Sequence, residues 1–194
     1  MNGPKKDGRQ VVAISEYREY SRKWSGEDVA AFVEVSLYTG LRIYDVATFH
    51  VSRLQADGTV RLRAQKNHSW VSVAVPESTC RMIQERARCF GPYIFGDPGE
   101  RKPDNITQTW RRRLEQLWEE SGPWEHKPVH HRFRHTFVRM LLEAHTPVSV
   151  VARLIGDTEE TVLKHYANWV PELQQAATLA TRKAMLNRPR FFSA

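Results

Sequence analysis

Most of the chain shows apolar residues at the three- and four-residue spacing of a helix that buries one face. In residues 25–40, such a stripe is formed by Val29, Phe32, Val33 and Leu37. The same period recurs in the segments IYDVATF, PESTCRMIQERARCF, NITQTWRRRLEQLWEE, RFRHTFVRMLLEA, PVSVVARLI, DTEETVLKHY and PELQQAATLATRKAML. This pattern predicts a mainly helical protein.

One region has a different period and predicts strands. The segments FHVSRL, VRLRAQ and WVSVAV are short, and in the last two the apolar and polar residues alternate, as on a half-buried strand. The sequence Ala56-Asp57-Gly58 indicates a turn between the first two segments, and Lys66 falls in the turn between the second and the third. We therefore expect a small three-stranded antiparallel meander and an α+β fold class.

Local signals place several helix ends. Ser25 is predicted to cap the first helix. Gly40 and Gly156 suit the left-handed conformation in which many helices end. Asp157 follows Gly156, and because Glu160 lies three residues further on, we interpret Asp157 as the cap of the next helix.

The size and charge of the chain narrow the class of partner. The 194 residues suit one domain, and the net charge is +7 with a pI of about 9.6. This balance favours a polyanionic partner, with nucleic acid first and an anionic membrane second. The first residues, MNGPKKDGRQ, lack the apolar core of a signal peptide, and no apolar run is long enough to span a bilayer. Cys80 and Cys89 indicate neither a disulfide framework nor a zinc site, and reduced thiols suit a cytoplasmic protein. We therefore expect a cytoplasmic protein, and no membrane partner is predicted.

The segment HHRFRHTF, residues 130–137, places cations beside the aromatic stripe of a predicted helix. His131 and Arg134 lie three apart on one side of its first turn, where free backbone N–H groups also attract anions. The planar fork of arginine suits phosphate oxygens, so the segment predicts an anion site. His131 and His135 also have the spacing of a zinc pair, but no HExxH motif or Cys partner accompanies them. No metal site is predicted, and we interpret His135 as a packing or supporting residue.

A family resemblance connects this segment to others in order along the chain. HHRFRHTFVRMLLEA resembles the H-x-x-R box of the tyrosine recombinases, the phage-integrase family. VARLIGDTEETVLKHYANW is similar to that family's continuation, with Tyr166 at the position of the nucleophile. Upstream, LYTGLRIYDV is similar to the box of the first arginine, here Arg42, with Asp45 at the acidic position that follows. The predicted meander resembles the family's β region, whose turn lysine is Lys66 here.

The resemblance implies a fold and a domain division. We expect the DNA breaking-rejoining catalytic fold over residues 25–194, with residues 1–24 as an N-terminal extension or linker. Family members usually carry a further N-terminal domain that clamps the DNA. Because only a short segment precedes the first predicted helix, we expect a fragment of a longer protein, or else a lone catalytic lobe.

The resemblance also implies an activity that cleaves and rejoins double-stranded DNA without a metal or a cofactor. Tyr166 attacks the scissile phosphate, which leaves a 3′-phosphotyrosyl link and a free 5′-hydroxyl, and the hydroxyl of a partner strand then reverses the step. His131 could take the tyrosine proton, while Arg42 and Arg134 stabilise the charge that develops on the phosphate. Lys66 could give a proton to the departing 5′-oxygen.

Asp157 departs from the family pattern. The family has a His or Trp at this position, which donates a hydrogen bond to the phosphate. An ionised carboxylate cannot donate and repels phosphate, so the donor is either missing or supplied by a neighbour such as His165 or His135. This motivates one alternative, a catalytically weakened DNA-binding relative. Two further alternatives are a type IB-like topoisomerase, and a basic helical adaptor that binds protein or RNA.

Other residues are assigned to partners. Arg111, Arg112 and Arg113 on one predicted helix, and Lys164 on the helix before the candidate nucleophile, are predicted to contact the DNA backbone. The last predicted helix, residues 171–186, has an apolar edge. It either docks on its own domain or, as in relatives, docks on a neighbouring subunit. The second case implies self-association on DNA, as a tetramer on a recombination site.

Overall fold

The fold is known from a computed structural model, which describes residues 26–66, 68–123 and 129–186. Eight α-helices lie in these ranges: α1 Gly26–Thr39, α2 Ile43–Ala47, α3 Glu77–Phe90, α4 Pro103–Ser121, α5 His131–Glu143, α6 Val148–Ile155, α7 Glu159–Tyr166 and α8 Pro171–Leu186. Two antiparallel strands, β1 Thr59–Arg63 and β2 Trp70–Ala74, and two 3₁₀ turns, Val51–Arg53 and Ala167–Trp169, are also present. The prediction of a mainly helical α+β fold is confirmed.

The helices bury their apolar stripes in one core, and more than half of the residues of α1 are buried. Phe32 of α1 stacks on Trp110 of α4, with ring centroids 4.2 Å apart. At the end of α1, Gly40 has a left-handed φ of 60°, and a Cβ atom there would lie 2.4 Å from the ring of Phe137 in α5. Glycine therefore allows the end of α1 to approach α5 closely.

The sheet has two strands among the described residues, where the sequence predicted three. The alternating residues of β1 and β2 bury one face, as predicted. The segment predicted as the first strand forms a 3₁₀ turn, in which Nδ1 of His50 accepts a hydrogen bond from the backbone N–H of Ser52. This segment meets the sheet in a single bridge, between Leu54 and Val60. The prediction of a third strand is wrong because the local cap curls the backbone.

The predicted end of α6 is confirmed, whereas the predicted cap at the start of α7 is wrong. Gly156 ends α6 in the left-handed conformation, with φ 61°. The cap of α7 is Thr158, whose Oγ1 accepts a hydrogen bond from the backbone N–H of Thr161 at 3.1 Å. Asp157, predicted as this cap, directs its carboxylate to other partners. The predicted cap of the first helix, Ser25, lies outside the described residues.

The last helix, α8, projects from the fold. Its side chains from Leu173 to Lys183 are exposed, and Leu179 is 64% exposed. These residues therefore do not dock on their own domain, which was one of the two predicted placements. Docking on a neighbouring subunit stays a prediction.

Candidate active site

Arg134 is held at the junction of three helices. It lies in the first turn of α5 and is buried. Its Nη1 donates to the carbonyl oxygen of Gly40 at 2.9 Å, and its Nη2 donates to that of Ile155 at 2.8 Å. These carbonyls lie at the ends of α1 and α6, where the last C=O groups have no partner within their own helix. One guanidinium group thus fixes two helix ends beside the start of α5.

Arg42 brings a second guanidinium group to the same place. It directly precedes α2, and its side chain is 14% exposed. Nη2 of Arg42 lies 3.1 Å from Oδ2 of Asp157, and Nη2 of Arg134 lies 3.0 Å from the same oxygen. Both predicted arginines therefore converge on one oxygen atom, an arrangement that also suits a phosphate oxygen.

Asp157 supplies the anion between the two arginines. Its backbone N–H donates to the carbonyl oxygen of Ala152 at 2.9 Å, which extends the hydrogen bonding at the end of α6 beyond Gly156. Charge-assisted hydrogen bonds to two guanidinium groups are stronger than the neutral-donor bond of a helix cap. This explains why Thr158, and not Asp157, caps α7. The carboxylate lies between the two arginines that are predicted to bind the phosphate.

Burial makes the positive charge of this cluster costly. The pKa of Arg134 is lowered to about 10, first by burial and then by the charge of Arg42, while Asp157 and Tyr166 oppose the shift. Arg134 stays charged at neutral pH, and an anion between the two arginines relieves their mutual repulsion.

His131 stands at the exposed edge of the cluster. Its pKa is lowered by partial desolvation and then by the positive charges around it, which belong to Arg134, Arg42, Arg111 and Lys66. His131 is therefore neutral at pH 7. Lys66 is exposed in the turn between β1 and β2, and its charge contributes to the lowered pKa of His131.

Asp45 connects the hairpin to the rest of the site. It is buried in α2, and its Oδ1 accepts a hydrogen bond from the backbone N–H of Gln65 at 3.2 Å. Burial raises the pKa of Asp45, while the hydrogen bond from Gln65 and the charge of Arg53 lower it. Because Gln65 directly precedes Lys66, Asp45 fixes the base of the turn that carries the lysine.

Tyr166 is enclosed rather than open to solvent. It ends α7 and is 5% exposed, and its hydroxyl oxygen lies 2.5 Å from Nδ1 of His135 in α5. The ring of Trp169 lies 5.8 Å away, and Arg139 of α5 covers that ring. A packing or supporting role was predicted for His135 from the sequence. The position of His135 next to Arg134 was the signal in the sequence that it lies at the site. Its contact with Tyr166 depends on how α7 packs on α5.

The basic residues predicted to contact DNA fall into different settings. Arg111, Arg112 and Arg113 are all exposed on α4. The charge of Arg111 contributes to the lowered pKa of His131, the histidine that begins α5. The guanidinium group of Arg113 instead lies over the ring of Trp110, 4.8 Å from its centroid. Lys164 is exposed on α7.

The i, i+4 histidines of α5 meet different neighbours, since His131 faces the cations and His135 faces Tyr166. In the described ranges, no group of three or more His, Cys, Asp or Glu side chains is arranged to hold a metal ion. Over the same part of the chain, none of the helices combines the length and apolar character needed to cross a membrane.

The match to the phage integrase family covers residues 7–172. Because this is most of the chain, the chain belongs to that family, and its fold is that of a tyrosine recombinase catalytic domain. The prediction of this family from the sequence is confirmed. No curated protein sequence matches the chain.

Solved structures share this fold at low sequence identity. A crystal structure of XerA recombinase is similar with a TM-score of 0.62 and 17% identity, over 98% of this chain and 65% of that one. The catalytic domain of bacteriophage HP1 integrase has a TM-score of 0.58 and 16% identity, over 92% of this chain and 94% of that one. Lambda integrase (residues 75–356) bound to DNA has a TM-score of 0.56 and 14% identity, over 82% of this chain and 61% of that one. This chain thus spans less than two thirds of the XerA chain, and these likenesses show the fold alone.

Proposed function

We propose that this chain is a site-specific DNA recombinase or integrase, which cleaves and rejoins DNA strands through a 3′-phosphotyrosyl link to Tyr166. The observation that carries the proposal is the convergence of Arg42 and Arg134 on one oxygen atom, with Tyr166 in contact with His135, the residue after Arg134. The family membership supports the reaction class, and the site supports each residue's part in it.

The two arginines act on the phosphate. In the proposed complex, the scissile phosphate takes the place of the Asp157 carboxylate, and oxygen atoms of the phosphate accept the hydrogen bonds of both guanidinium groups. Charge grows on the non-bridging oxygens as the transition state forms. Each well-placed donor then contributes about 3–4 kcal/mol to lowering the barrier. Because Arg134 is already fixed by two helix ends, little reorganisation is needed.

The remaining residues act on protons and leaving groups. A tyrosine phenol has a pKa of about 10 in water, so attack requires removal of its proton. The new bond joins the tyrosine oxygen to phosphorus, and the bond from phosphorus to the 5′-oxygen breaks. Lys66, on the hairpin turn fixed by Asp45, gives a proton to that departing oxygen. His131, neutral at pH 7, donates a hydrogen bond to the phosphate.

The proposed partners are double-stranded DNA and further copies of this chain. A positive cluster with Arg111 beside it favours the phosphate backbone. Lambda integrase is similar in fold and has been solved as a tetramer bound to a Holliday junction. The exposed apolar residues Leu173 and Leu179 of α8 are suited to contact between subunits in such an assembly. We place the reaction in the cytoplasm, and the proposal requires no metal or small-molecule cofactor.

One observation favours a second candidate, a DNA-binding relative with weakened catalysis. Asp157 already neutralises the arginines, and the phosphate must displace it before cleavage. In this candidate the chain binds DNA in a salt-sensitive manner but cuts it slowly or not at all.

A nicked suicide duplex tests the proposal, because loss of the short strand that carries the free 5′-hydroxyl traps the covalent intermediate. Since the target sequence is unknown, the substrate is a pool of duplexes randomised around the nick, and adducts are detected on a denaturing gel. We expect a covalent adduct with the wild-type chain and with the control Tyr44→Phe, and none with Tyr166→Phe. Salt-sensitive binding without adduct in the wild type supports the second candidate.

A further inference from the structure

We propose that His135 is a catalytic residue, which orients the Tyr166 hydroxyl and accepts its proton as the tyrosine attacks phosphorus. This inference rests on the proposed phosphotyrosyl chemistry. It assigns the proton transfer to a different histidine from the one that the family resemblance suggested, His131.

The contact geometry supports this assignment. The tyrosine oxygen lies 2.5 Å from Nδ1 of His135, within the reach required of a general base. The two ring centroids are 5.4 Å apart with a 53° angle between the planes, so the rings are tilted and not stacked. The lone pair of a ring nitrogen lies in the plane of the imidazole, so this arrangement lets Nδ1 receive the proton directly.

The helix places His135 and Arg134 in complementary directions. Successive residues of an α-helix are turned by about 100° from each other. Arg134 faces the ends of α1 and α6, whereas His135 faces the end of α7. One turn further along the same face, Arg139 covers the ring of Trp169. This face of α5 therefore encloses Tyr166 and His135. Arg134, the residue before His135, faces the proposed position of the phosphate.

The proposed step balances in atoms and charge. His135 begins as the neutral tautomer with its proton on Nε2, and Nδ1 takes the phenol proton. The phenolate oxygen forms the bond to phosphorus, and the bond from phosphorus to the 5′-oxygen breaks with its electron pair on oxygen. That oxygen takes a proton from Lys66. On rejoining, the imidazolium returns its proton to the tyrosine oxygen as it leaves.

The surroundings of His131 make it the weaker candidate for this step. It lies at the exposed first turn of α5, and its pKa is lowered by partial desolvation and then by four cationic side chains. These charges disfavour a second proton on its ring, whereas a neutral His131 can still donate a hydrogen bond to phosphate. In a purely structural role, His135 would only supply a hydrogen-bond partner for the buried hydroxyl of Tyr166. The experiment below separates this role from that of a general base.

The test measures adduct formation on the nicked duplex pool by His135→Asn and His135→Ala. The amide oxygen of asparagine lies close to where Nδ1 would be and can hold the hydroxyl, but it cannot accept the proton. We expect both variants to form the adduct at least about a hundredfold more slowly, in line with the loss of a general base. Added imidazole should restore part of the rate in His135→Ala and none in His135→Asn. The control is His145→Asn, an exposed histidine at φ 58°, a conformation that asparagine tolerates.

A second substrate distinguishes the base from the acid. Replacing the bridging 5′-oxygen by sulfur gives a thiolate leaving group, which departs without a proton because its pKa is near that of a cysteine thiol. We expect this substrate to restore cleavage in Lys66→Ala but not in His135→Asn. Restoration in His135→Asn, a wild-type rate in either His135 variant, or a slow His135→Ala that imidazole does not rescue would each overturn the inference. Failure of the wild-type chain to form any adduct would instead remove the proposed function itself.

Discussion

Arg42 and Arg134 donate to the same carboxylate oxygen of Asp157, at 3.1 and 3.0 Å, although they come from opposite parts of the chain. The helix ends that Arg134 joins bring them together, since its other donors bind the carbonyl groups of Gly40 and Ile155. The site is therefore assembled by packing and filled by an internal anion. This relationship leads to the first two predictions.

Asp157→Asn should strengthen oxyanion binding in the protein without DNA. The amide keeps the shape of the side chain but removes the charge that competes with phosphate for the arginines. We expect inorganic phosphate or tungstate to bind about tenfold more tightly, which corresponds to about 1.4 kcal/mol. Calorimetric titration measures this, with Glu160→Gln in the exposed first turn of α7 as the matched change of charge. Unchanged or weaker binding would show that Asp157 does not occupy the anion position.

Arg134→Lys should abolish most of the cleavage activity. A lysine ammonium group cannot bind two helix-end carbonyl groups and an oxyanion in the fixed directions of a guanidinium fork. We expect adduct formation to fall by at least about a hundredfold, together with a lower melting temperature. Arg88→Lys, an exposed change on α3, is the control and should cleave normally. Near-normal cleavage by Arg134→Lys would exclude the role proposed for the guanidinium group.

Asp45→Ala should loosen the hairpin that carries Lys66. The backbone N–H of Gln65 loses its carboxylate acceptor, and loss of a hydrogen bond to a charged group costs about 1.5–3 kcal/mol. Faster hydrogen exchange of the Gln65 amide, measured by NMR, should accompany slower cleavage. Asp45→Asn keeps an acceptor oxygen, so both the protection of the Gln65 amide and the cleavage rate should fall by less than in Asp45→Ala. Equal exchange rates in Asp45→Ala and the wild type would rule out this anchoring role.

His130 should make the fold sensitive to acid. Its pKa is lowered to about 4, first by burial and then by the charges of His131 and Arg111. Because the unfolded chain binds the proton more readily, this contribution to stability is present above about pH 6.5 and is lost as the pH falls towards 4. The melting temperature should fall over this window by less in His130→Gln than in the wild type. The same decline in both proteins would assign the acid sensitivity to other groups.

The sequence predicted the helices well because their apolar periods and glycine ends are local signals. Gly40 and Gly156 end α1 and α6 in the left-handed conformation, as their positions indicated. The predicted third strand failed for an equally local reason, since the His50 side chain caps a 3₁₀ turn that periodicity alone does not reveal.

The residues that the structure brings together in the candidate site were predictable, but their contacts were not. Its motifs identified Arg42, Arg134 and Tyr166 through the family resemblance. The capping-box pattern predicted Asp157 as a helix cap. Its two guanidinium partners come from distant segments, so the sequence around Asp157 does not reveal them. The pairing of His135 with Tyr166 was missed for the same reason, since it depends on how α5 and α7 pack.

The most direct test of the central claim is to identify the residue that becomes covalently joined to DNA. The adduct from the nicked duplex pool is digested with protease and nuclease, and the nucleotide-bearing peptide is sequenced by mass spectrometry. We predict a 3′-nucleotide on Tyr166 in the wild type and no adduct in Tyr166→Phe. A nucleotide on another residue such as Tyr44, or an adduct that persists in Tyr166→Phe, would contradict the account.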